Sequence, residues 1–243
     1  MLDLSGQRAL VTGAGVRVGR AIADHLVDLG VAVAFHCHRS RGGAEEGVAR
    51  ARGRGVAAAL LEADLSDWDV ARALADRAAE ALGGLDIVVG SAAIFERVPF
   101  GQIDRAALRR MLALDFEGPF ALAQGAAQVL RRPGGCLVHV LDVGAFQPWR
   151  AYAHYCSAKA ALAMLTRVLA LELAPGIRVN GVAPGTVLWP DTGYAEAERA
   201  AELRRIPLGR EGRPSDVAEA VAFLCRSEYV TGEIVRVDGG RAT

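Results

Sequence analysis

The sequence predicts an α/β protein with a doubly wound, Rossmann-type parallel sheet of about seven strands. Strands and helices alternate along the chain, the strands are continuous apolar runs, and the first strand ends in a glycine-rich turn. Continuous apolar runs are typical of parallel strands buried on both faces, and the alternation implies right-handed crossovers. Strands are predicted at Gln7–Thr12, Val31–Phe35, Val56–Leu61, Asp86–Val89, Cys136–Leu141, Ile177–Val182 and Glu233–Val237.

The helices are predicted from apolar residues that recur at intervals of three and four. In the first helix, Ile22, Leu26 and Leu29 share one face. We interpret residues 1–243 as one domain, in which residues 186–206 form a lid over the ligand crevice. Helices are predicted at Val18–Leu29, Ala44–Arg52, Asp67–Leu82 and Tyr152–Leu173, with a long helical region over Asp104–Leu130.

The composition argues against several classes of function. The chain has 243 residues, 52% of them hydrophobic, which is sufficient for one large core. Basic and acidic residues both total 28, so neither nucleic acid nor an anionic membrane is an expected partner. No apolar run is long enough for a membrane span, and the scattered cysteines fit neither a disulfide framework nor a zinc site. We therefore expect a soluble cytoplasmic protein that binds no metal and acts on a small molecule.

The turn after the first strand is typical of a dinucleotide site. Its sequence is Thr12-Gly13-Ala14-Gly15-Val16-Arg17-Val18-Gly19, and the first helix follows directly. The three glycines allow a tight turn, a close approach to a pyrophosphate and contact between helix and strand, while the helix N-terminus faces the anion. An ordinary strand-to-helix turn is the alternative interpretation.

The end of the second strand favours NADPH as the cofactor. An NAD enzyme usually has an acidic residue there, and this chain has His38, Arg39 and Ser40 instead. Together with Arg17, these side chains are expected to hold a 2′-phosphate through charge-assisted hydrogen bonds. The alternative is that Arg39 and Arg41 are solvated loop charges.

Asp64 and Leu65 follow the third strand, where the adenine of a dinucleotide is expected. Nearby Ser66 or Asp67 is equally suited to be the N-cap of the next helix.

Tyr155 and Lys159 are the strongest candidates for the catalytic centre. Both fall on a predicted helix, and a spacing of four places the phenol and the ammonium on one face. A nearby cation favours the phenolate, so Lys159 is expected to lower the pKa of Tyr155 and make it a competent proton donor. Lys159 is also suited to bind ribose hydroxyls of the cofactor.

Several motifs follow one another in a fixed order along the whole chain. They are TGAGVRVG after the first strand, Asp64-Leu65, the end of the fourth strand, YCSAK at 155–159, Pro184-Gly185, and Val237-Asp238-Gly239-Gly240. In this order they resemble the short-chain dehydrogenase/reductase family. The resemblance implies the family's fold, a homotetramer, and a nicotinamide cofactor whose site includes Ser91, Ala92, Pro184 and Gly185.

The departures from the family pattern narrow the substrate class. Asp142 stands thirteen residues before Tyr155, where most members carry a catalytic serine, and Arg17 replaces a usual glycine. Asp115 stands where asparagine is usual, and Gly90-Ser91-Ala92-Ala93 replaces a common Asn-Asn-Ala-Gly. These last changes affect the proton relay and the cofactor contacts that the family pattern implies.

The first two departures, with His38-Arg39-Ser40, Phe95 and the segment at 184–190, resemble the pteridine reductase branch of the family. That branch reduces dihydropterin or dihydrofolate-type rings with NADPH. The resemblance implies that Asp142, Tyr155 and Lys159 form the catalytic set.

The same resemblance implies three residues at the substrate. It places a pterin between the nicotinamide and Phe95, and Arg17 near both phosphate and pterin. Trp189 is expected to contact the substrate from the lid. Packing is the alternative role for both Phe95, as a core residue, and Trp189, within the lid.

The chemistry of Asp142 favours the same substrates. An ionised carboxylate only accepts hydrogen bonds and repels a developing alkoxide, so Asp142 fits a substrate that presents N–H groups. A carboxylate beside Tyr155 also opposes the effect of Lys159 and keeps the phenol protonated. A protonated Asp142 in an apolar pocket would instead mimic serine.

Two other functions fit the sequence. A carbonyl or 3-oxoacyl reductase shares every cofactor motif and differs only in the pocket. A catalytically silent NADP(H)-binding regulator is the alternative of a different class, which the altered asparagine positions favour and the intact Asp142, Tyr155 and Lys159 oppose.

Overall fold

Strands and helices alternate along the chain in the computed structural model, which describes residues 1–189 and 195–243. The strands are β1 (Arg8–Val11), β2 (Ala32–Cys37), β3 (Ala58–Glu62), β4 (Ile87–Gly90), β5 (Gly135–Val140), β6 (Ile177–Pro184) and β7 (Ile234–Val237). The helices are α1 (Arg17–Asp28), α2 (Arg41–Gly53), α3 (Trp68–Leu82), α4 (Arg105–Leu112), α5 (Gly118–Val129), α6 (Ala153–Glu172), α7 (Glu196–Leu203) and α8 (Pro214–Arg226).

The seven strands form one sheet in the order β3-β2-β1-β4-β5-β6-β7, and every pair is parallel. The predicted doubly wound α/β fold is therefore confirmed. The order reverses between β1 and β4, and in open parallel sheets a ligand crevice opens at the carboxyl ends of the strands beside such a point. The segments that follow β1, β4, β5 and β6 all meet at this edge.

The core lies on both faces of the sheet. In β1, the side chains of Ala9 and Val11 pack toward α1, α2 and α8, whereas Leu10 packs on the opposite face with α3 and α5. This alternation explains why the strand sequences are apolar at successive positions. No helix within residues 1–189 or 195–243 is both long and apolar enough to cross a membrane.

Two features of the structure are absent from the predicted elements. The helical region after Asp104 is divided by a π-helical turn at Ala113–Glu117, which periodicity does not reveal. Helix α8 was not predicted, although Pro214 in its first turn is a usual start signal. In the predicted lid, α7 is present, and residues 190–194 lie outside the described part of the chain.

Candidate active site

A cleft of about 1270 Å³ opens at the carboxyl edge of the sheet. Gly15 and Lys159 are the two predicted site residues that do not line it. The predicted residues that do line it are Gly13, Arg17, Val18, Gly19, His38, Arg39, Ser40, Asp64, Leu65, Ser91, Ala92, Phe95, Asp142, Tyr155, Pro184, Gly185 and Trp189.

The glycine turn packs too closely for side chains. Gly13 has a φ of +66°, which favours glycine, and a Cβ at Gly19 would overlap the carbonyl oxygen of Gly13. A Cβ at Gly15 would overlap Ser40, so Gly15 serves the packing of the turn rather than the cleft. The N-terminus of α1 has no side-chain cap and no acidic residue in its first turn. Its free N–H groups therefore fit the pyrophosphate of a dinucleotide.

His36 holds the glycine turn, and sequence analysis missed it. Its Nδ1 accepts the Gly13 N–H at 3.2 Å, so Nε2 carries the hydrogen and donates to the carbonyl oxygen of Ala63 at 3.2 Å. Burial lowers the pKa of His36 to about 4, and the neutral ring keeps both bonds at physiological pH. The available signal was a histidine inside an otherwise apolar strand.

Hydrogen bonds from main-chain N–H groups fix two other walls of the cleft. The Thr12 hydroxyl oxygen accepts the N–H groups of Ser91 and Ala92 at 2.8 and 3.0 Å. These two hydrogen bonds hold the end of β4 against the glycine turn. At the end of β6, the Gly185 N–H donates to the carbonyl oxygen of Val237 at 2.9 Å.

Arg39 and Arg41, which both follow β2, differ in their ion pairs. Arg41 is held by Glu45 and Glu62, each at 2.8 Å. Arg39 is exposed, lines the cleft, and has no ion pair among the described residues. His38 lies 3.9 Å from Asp64, whose carboxylate accepts the Ser66 hydroxyl and N–H. Of these two arginines, Arg39 is therefore the one available to meet an anionic group.

Arg17 is directed at the predicted lid. Its guanidinium donates to the carbonyl oxygens of Leu188 at 3.0 Å and Trp189 at 3.3 Å. Its φ is +54°, a left-handed conformation that disfavours residues other than glycine. Arg17 lines the cleft, but its hydrogen bonds join α1 to the segment after β6.

Asp142 and Tyr155 are in direct contact. Asp142 is the second residue after β5, and its Oδ1 accepts the Gly144 N–H at 2.7 Å. The Tyr155 hydroxyl donates to Oδ2 of Asp142 at 2.9 Å. The two side chains therefore form one hydrogen-bonded unit at the wall of the cleft.

The ionisation of this unit corrects one expectation from sequence. Burial, followed by the charge of Asp142, raises the pKa of Tyr155 well above its usual 10, the opposite of the lowering expected from Lys159. Burial also raises the pKa of Asp142 to about 6, although the hydrogen bonds from Gly144 and Tyr155 oppose this. At pH 7, Tyr155 is a phenol and most Asp142 is ionised.

Lys159 is paired with Asp115 below the cleft. Its Nζ lies 3.3 Å from Oδ2 of Asp115 and 5.7 Å from the centre of the Tyr155 ring. Both side chains are buried, with 3% of Lys159 and none of Asp115 exposed. Lys159 is also the only lysine in a sequence rich in arginine, a signal that sequence analysis missed.

Aromatic rings form one wall of the cleft beside Tyr155. Phe95 stacks on Tyr152 with ring centres 4.7 Å apart. The rings of Phe95 and Tyr155 are nearly perpendicular, with their centres 4.9 Å apart. Trp149 lies 6.3 Å from Phe95. Phe95 is 41% exposed, which excludes the alternative of a plain core residue.

Comparisons with known proteins agree with this geometry. The sequence model of the family described as Enoyl-(Acyl carrier protein) reductase matches residues 13–242. A short-chain dehydrogenase from Burkholderia cenocepacia, solved in complex with NADP, superposes with a TM-score of 0.94 at 33% identity over 100% of both chains. The chain belongs to the short-chain dehydrogenase/reductase family. It is accordingly an oxidoreductase, with a site for a nicotinamide cofactor.

Two other relatives show how widely substrates vary in the family. The chain is 37% identical to 3beta-hydroxysteroid dehydrogenase 1 of Eggerthella lenta, over 98% of this chain and 94% of the relative. It also resembles FolM alternative dihydrofolate reductase 1 from Brucella canis, solved with NADP. That structure has a TM-score of 0.91 at 30% identity, over 99% of this chain and 95% of that one. The substrate therefore has to be inferred from the cleft itself.

Proposed function

We propose that the protein is an NADPH-dependent reductase of pterin-type substrates, dihydropterin or dihydrofolate. The observation that carries the proposal is the carboxylate of Asp142 at the hydrogen-bonding position beside Tyr155. We propose Asp142, Tyr155 and Lys159 as the catalytic set.

The state of Asp142 favours a substrate with N–H donors. A carboxylate with a pKa of about 6 is mostly ionised at pH 7 and accepts hydrogen bonds without donating any. The ring amide and the exocyclic amine of a pterin supply such donors. The oxygen of a ketone becomes negative during reduction, and this carboxylate would repel it.

The aromatic wall favours a flat ring. Phe95 is held by its stacking on Tyr152, so its position is fixed before a ligand arrives. Its exposed part offers a rigid apolar surface to a planar heterocycle, which aromatic side chains bind by offset or edge contacts. The likeness to a protein named as an alternative dihydrofolate reductase gives further support.

The proposed mechanism assigns the proton to Tyr155. NADPH, when bound, supplies the hydride to the carbon of a ring C=N bond. The electron pair of that bond moves to the nitrogen, and Tyr155 gives this nitrogen its hydroxyl proton. A nitrogen anion is far more basic than a phenolate, so even a weakly acidic phenol transfers its proton. Asp142 holds the ring by its N–H groups, and water restores the proton of Tyr155.

A substrate panel with an Asp142→Ser variant tests the function. The wild type is expected to oxidise NADPH with dihydropterins and hardly at all with acetoacetyl thioesters. The variant is expected to lose at least about 100-fold in kcat/KM for the pterin, since hydrogen bonds to a charged group contribute about 1.5–3 kcal/mol each. Steady-state rates of NADPH oxidation measure both the substrate preference of the wild type and the loss of kcat/KM in the variant.

Asp104→Ser is the matched control. Asp104 also accepts a backbone N–H, that of Ala107 at 2.7 Å, but it lies outside the cleft, and serine is a good N-cap. Turnover of ketones or 3-oxoacyl thioesters in preference to pterins would replace the proposal with a carbonyl reductase. NADPH binding without turnover of either class would indicate a silent regulator.

The preference for NADPH is proposed from Arg39, with His38 and Ser40 beside it. Arg39→Ala is expected to raise the Kd of NADPH roughly 10- to 100-fold through the loss of charge-assisted bonds to the 2′-phosphate. The Kd of NADH is expected to stay nearly unchanged. Fluorescence titration with both cofactors gives the comparison.

Arg41→Ala controls for the general loss of a positive charge. Arg41 is already neutralised by two carboxylates, and exposed ion pairs of this kind contribute little, so neither Kd should change much. Equal weakening of NADPH and NADH by Arg39→Ala would contradict the proposed 2′-phosphate role.

We propose that the whole chain acts as one NADP(H)-binding domain with a lid that includes α7. Ion pairs hold this helix to two walls of the cleft: Glu198 to Arg97 at 3.5 Å, and Glu202 to the buried Arg241. Trp189, just before residues 190–194, is proposed as a substrate contact with Arg17 and Phe95.

A homotetramer in the cytoplasm is proposed as the working form. The outer side of α6 exposes Met164, Val168 and Leu171 at helical spacing, and association of copies would cover them. All four cysteines are free, which fits a reducing compartment. The molar mass in solution tests the tetramer.

A further inference from the structure

Asp115 is a completely buried acidic group that the proposed mechanism does not use. The π-helical turn between α4 and α5 places it beneath the active site, completely buried. Its Oδ1 accepts the Ile94 N–H at 2.9 Å, and its Oδ2 forms the 3.3 Å ion pair with Lys159. Both oxygens are thus directed at groups that border the site.

This contact changes what Lys159 does electrostatically. A lone ammonium 5.7 Å from the ring of Tyr155 would favour the phenolate. Asp115 places a negative charge against that ammonium, so the field of the pair at Tyr155 is much weaker than that of lysine alone. An asparagine at 115 would keep the bond to Ile94 and leave the ammonium uncompensated.

We propose that Asp115 is a positioning residue that fixes Lys159 and offsets part of its charge at Tyr155, which favours the proton-bearing phenol. The inference rests on the proposed proton transfer from Tyr155. It adds to the proposed mechanism that a buried acid outside the cleft helps to keep Tyr155 protonated.

The proposal predicts how the pKa values of Asp142 and Tyr155 change when the charge of Asp115 is removed. Asp115 raises the pKa of both Asp142 and Tyr155, because its negative charge disfavours a second negative charge nearby. Removing that charge therefore lowers both pKa values. Among the described residues, three other titratable groups interact with this cluster: Glu96 raises the pKa of Asp115, Cys156 raises that of Tyr155, and His139 has its own pKa lowered by Lys159. All three remain in place in the variants below.

The first test is the pH dependence of kcat in Asp115→Asn. Activity requires ionised Asp142 and protonated Tyr155, so the wild-type rate falls below about pH 6 and above the high pKa of Tyr155. In the variant, the acidic and the basic limb of the pH profile of kcat are both expected to move about one pH unit lower, because one nearby negative charge is lost. Asp115→Ser removes the same charge and must act in the same direction. Asp104→Asn should move neither limb.

The second test needs no substrate. Because Lys159 is the only lysine, protein made with 13C-labelled lysine gives a single side-chain Cε signal without assignment. This signal is expected to show a step near pH 6 as Asp142 ionises. The step should vanish in Asp142→Asn and move to lower pH in Asp115→Asn.

The two tests separate the inference from the proposed function. A protein that does not reduce pterins but shows the displaced lysine step contradicts the function and keeps the role of Asp115. Unchanged pH limbs and an unchanged lysine step in folded Asp115→Asn and Asp115→Ser would overturn the role of Asp115.

Discussion

Tyr155→Phe is expected to lower kcat by about 10³-fold and to leave NADPH binding nearly unchanged. The substitution removes the only group assigned to give the substrate its proton. Phenylalanine keeps the ring and with it the packing against Phe95 and Trp149, so the cleft retains its shape. Single-turnover rates measure the chemical step, and a fluorescence titration measures the Kd of NADPH.

Tyr229→Phe is the matched control for the loss of one hydroxyl. Tyr229 is fully exposed and does not line the cleft, so its variant should keep wild-type kinetics. Turnover of Tyr155→Phe near the wild-type rate would remove Tyr155 from the mechanism. A large loss of NADPH affinity would instead indicate that the hydroxyl serves the cofactor.

Lys159→Met is expected to lower the free energy of unfolding by about 3–5 kcal/mol at pH 7. The variant leaves the carboxylate of Asp115 without a partner and completely buried. Burial already raises the pKa of Asp115, and loss of Lys159 raises it further, so uptake of a proton would relieve part of the cost. Urea unfolding at several pH values measures the effect, which should become smaller as the pH falls.

The double variant Asp115→Asn/Lys159→Met isolates the buried charge as the cause. It retains an acceptor for the Ile94 N–H and leaves no ion without a partner, so most of the lost stability should return. A double variant as unstable as Lys159→Met would show that the lysine stabilises the fold through its packing alone.

Features encoded by near neighbours in the sequence were predictable. The apolar runs predicted the parallel sheet, and the glycine turn predicted the edge at which the cleft opens. Asp67, one of two candidates for the N-cap of α3, is the residue that accepts the N–H groups of Asp69 and Val70. The spacing of Tyr155 and Lys159 on one helix is likewise local.

Features formed between distant segments were not predictable. His36 bonding to Gly13, and Arg17 bonding to Leu188, join residues that no local pattern relates. The resemblance pointed to Asp142 and Asp115 as departures from the family pattern. It did not show that one would accept the Tyr155 hydroxyl and the other would hold Lys159.

The amino-acid sequence was sufficient to predict the fold, the edge of the sheet that carries the cofactor site, and the residue types of the proposed catalytic set. These follow from periodicity, turn chemistry and ordered motifs, which act over a few residues at a time. The pKa values of the site could be inferred only from the folded structure. A pKa depends on burial and on charges brought close by packing, so the pKa of Tyr155 is raised although its spacing from Lys159 predicted a lower value.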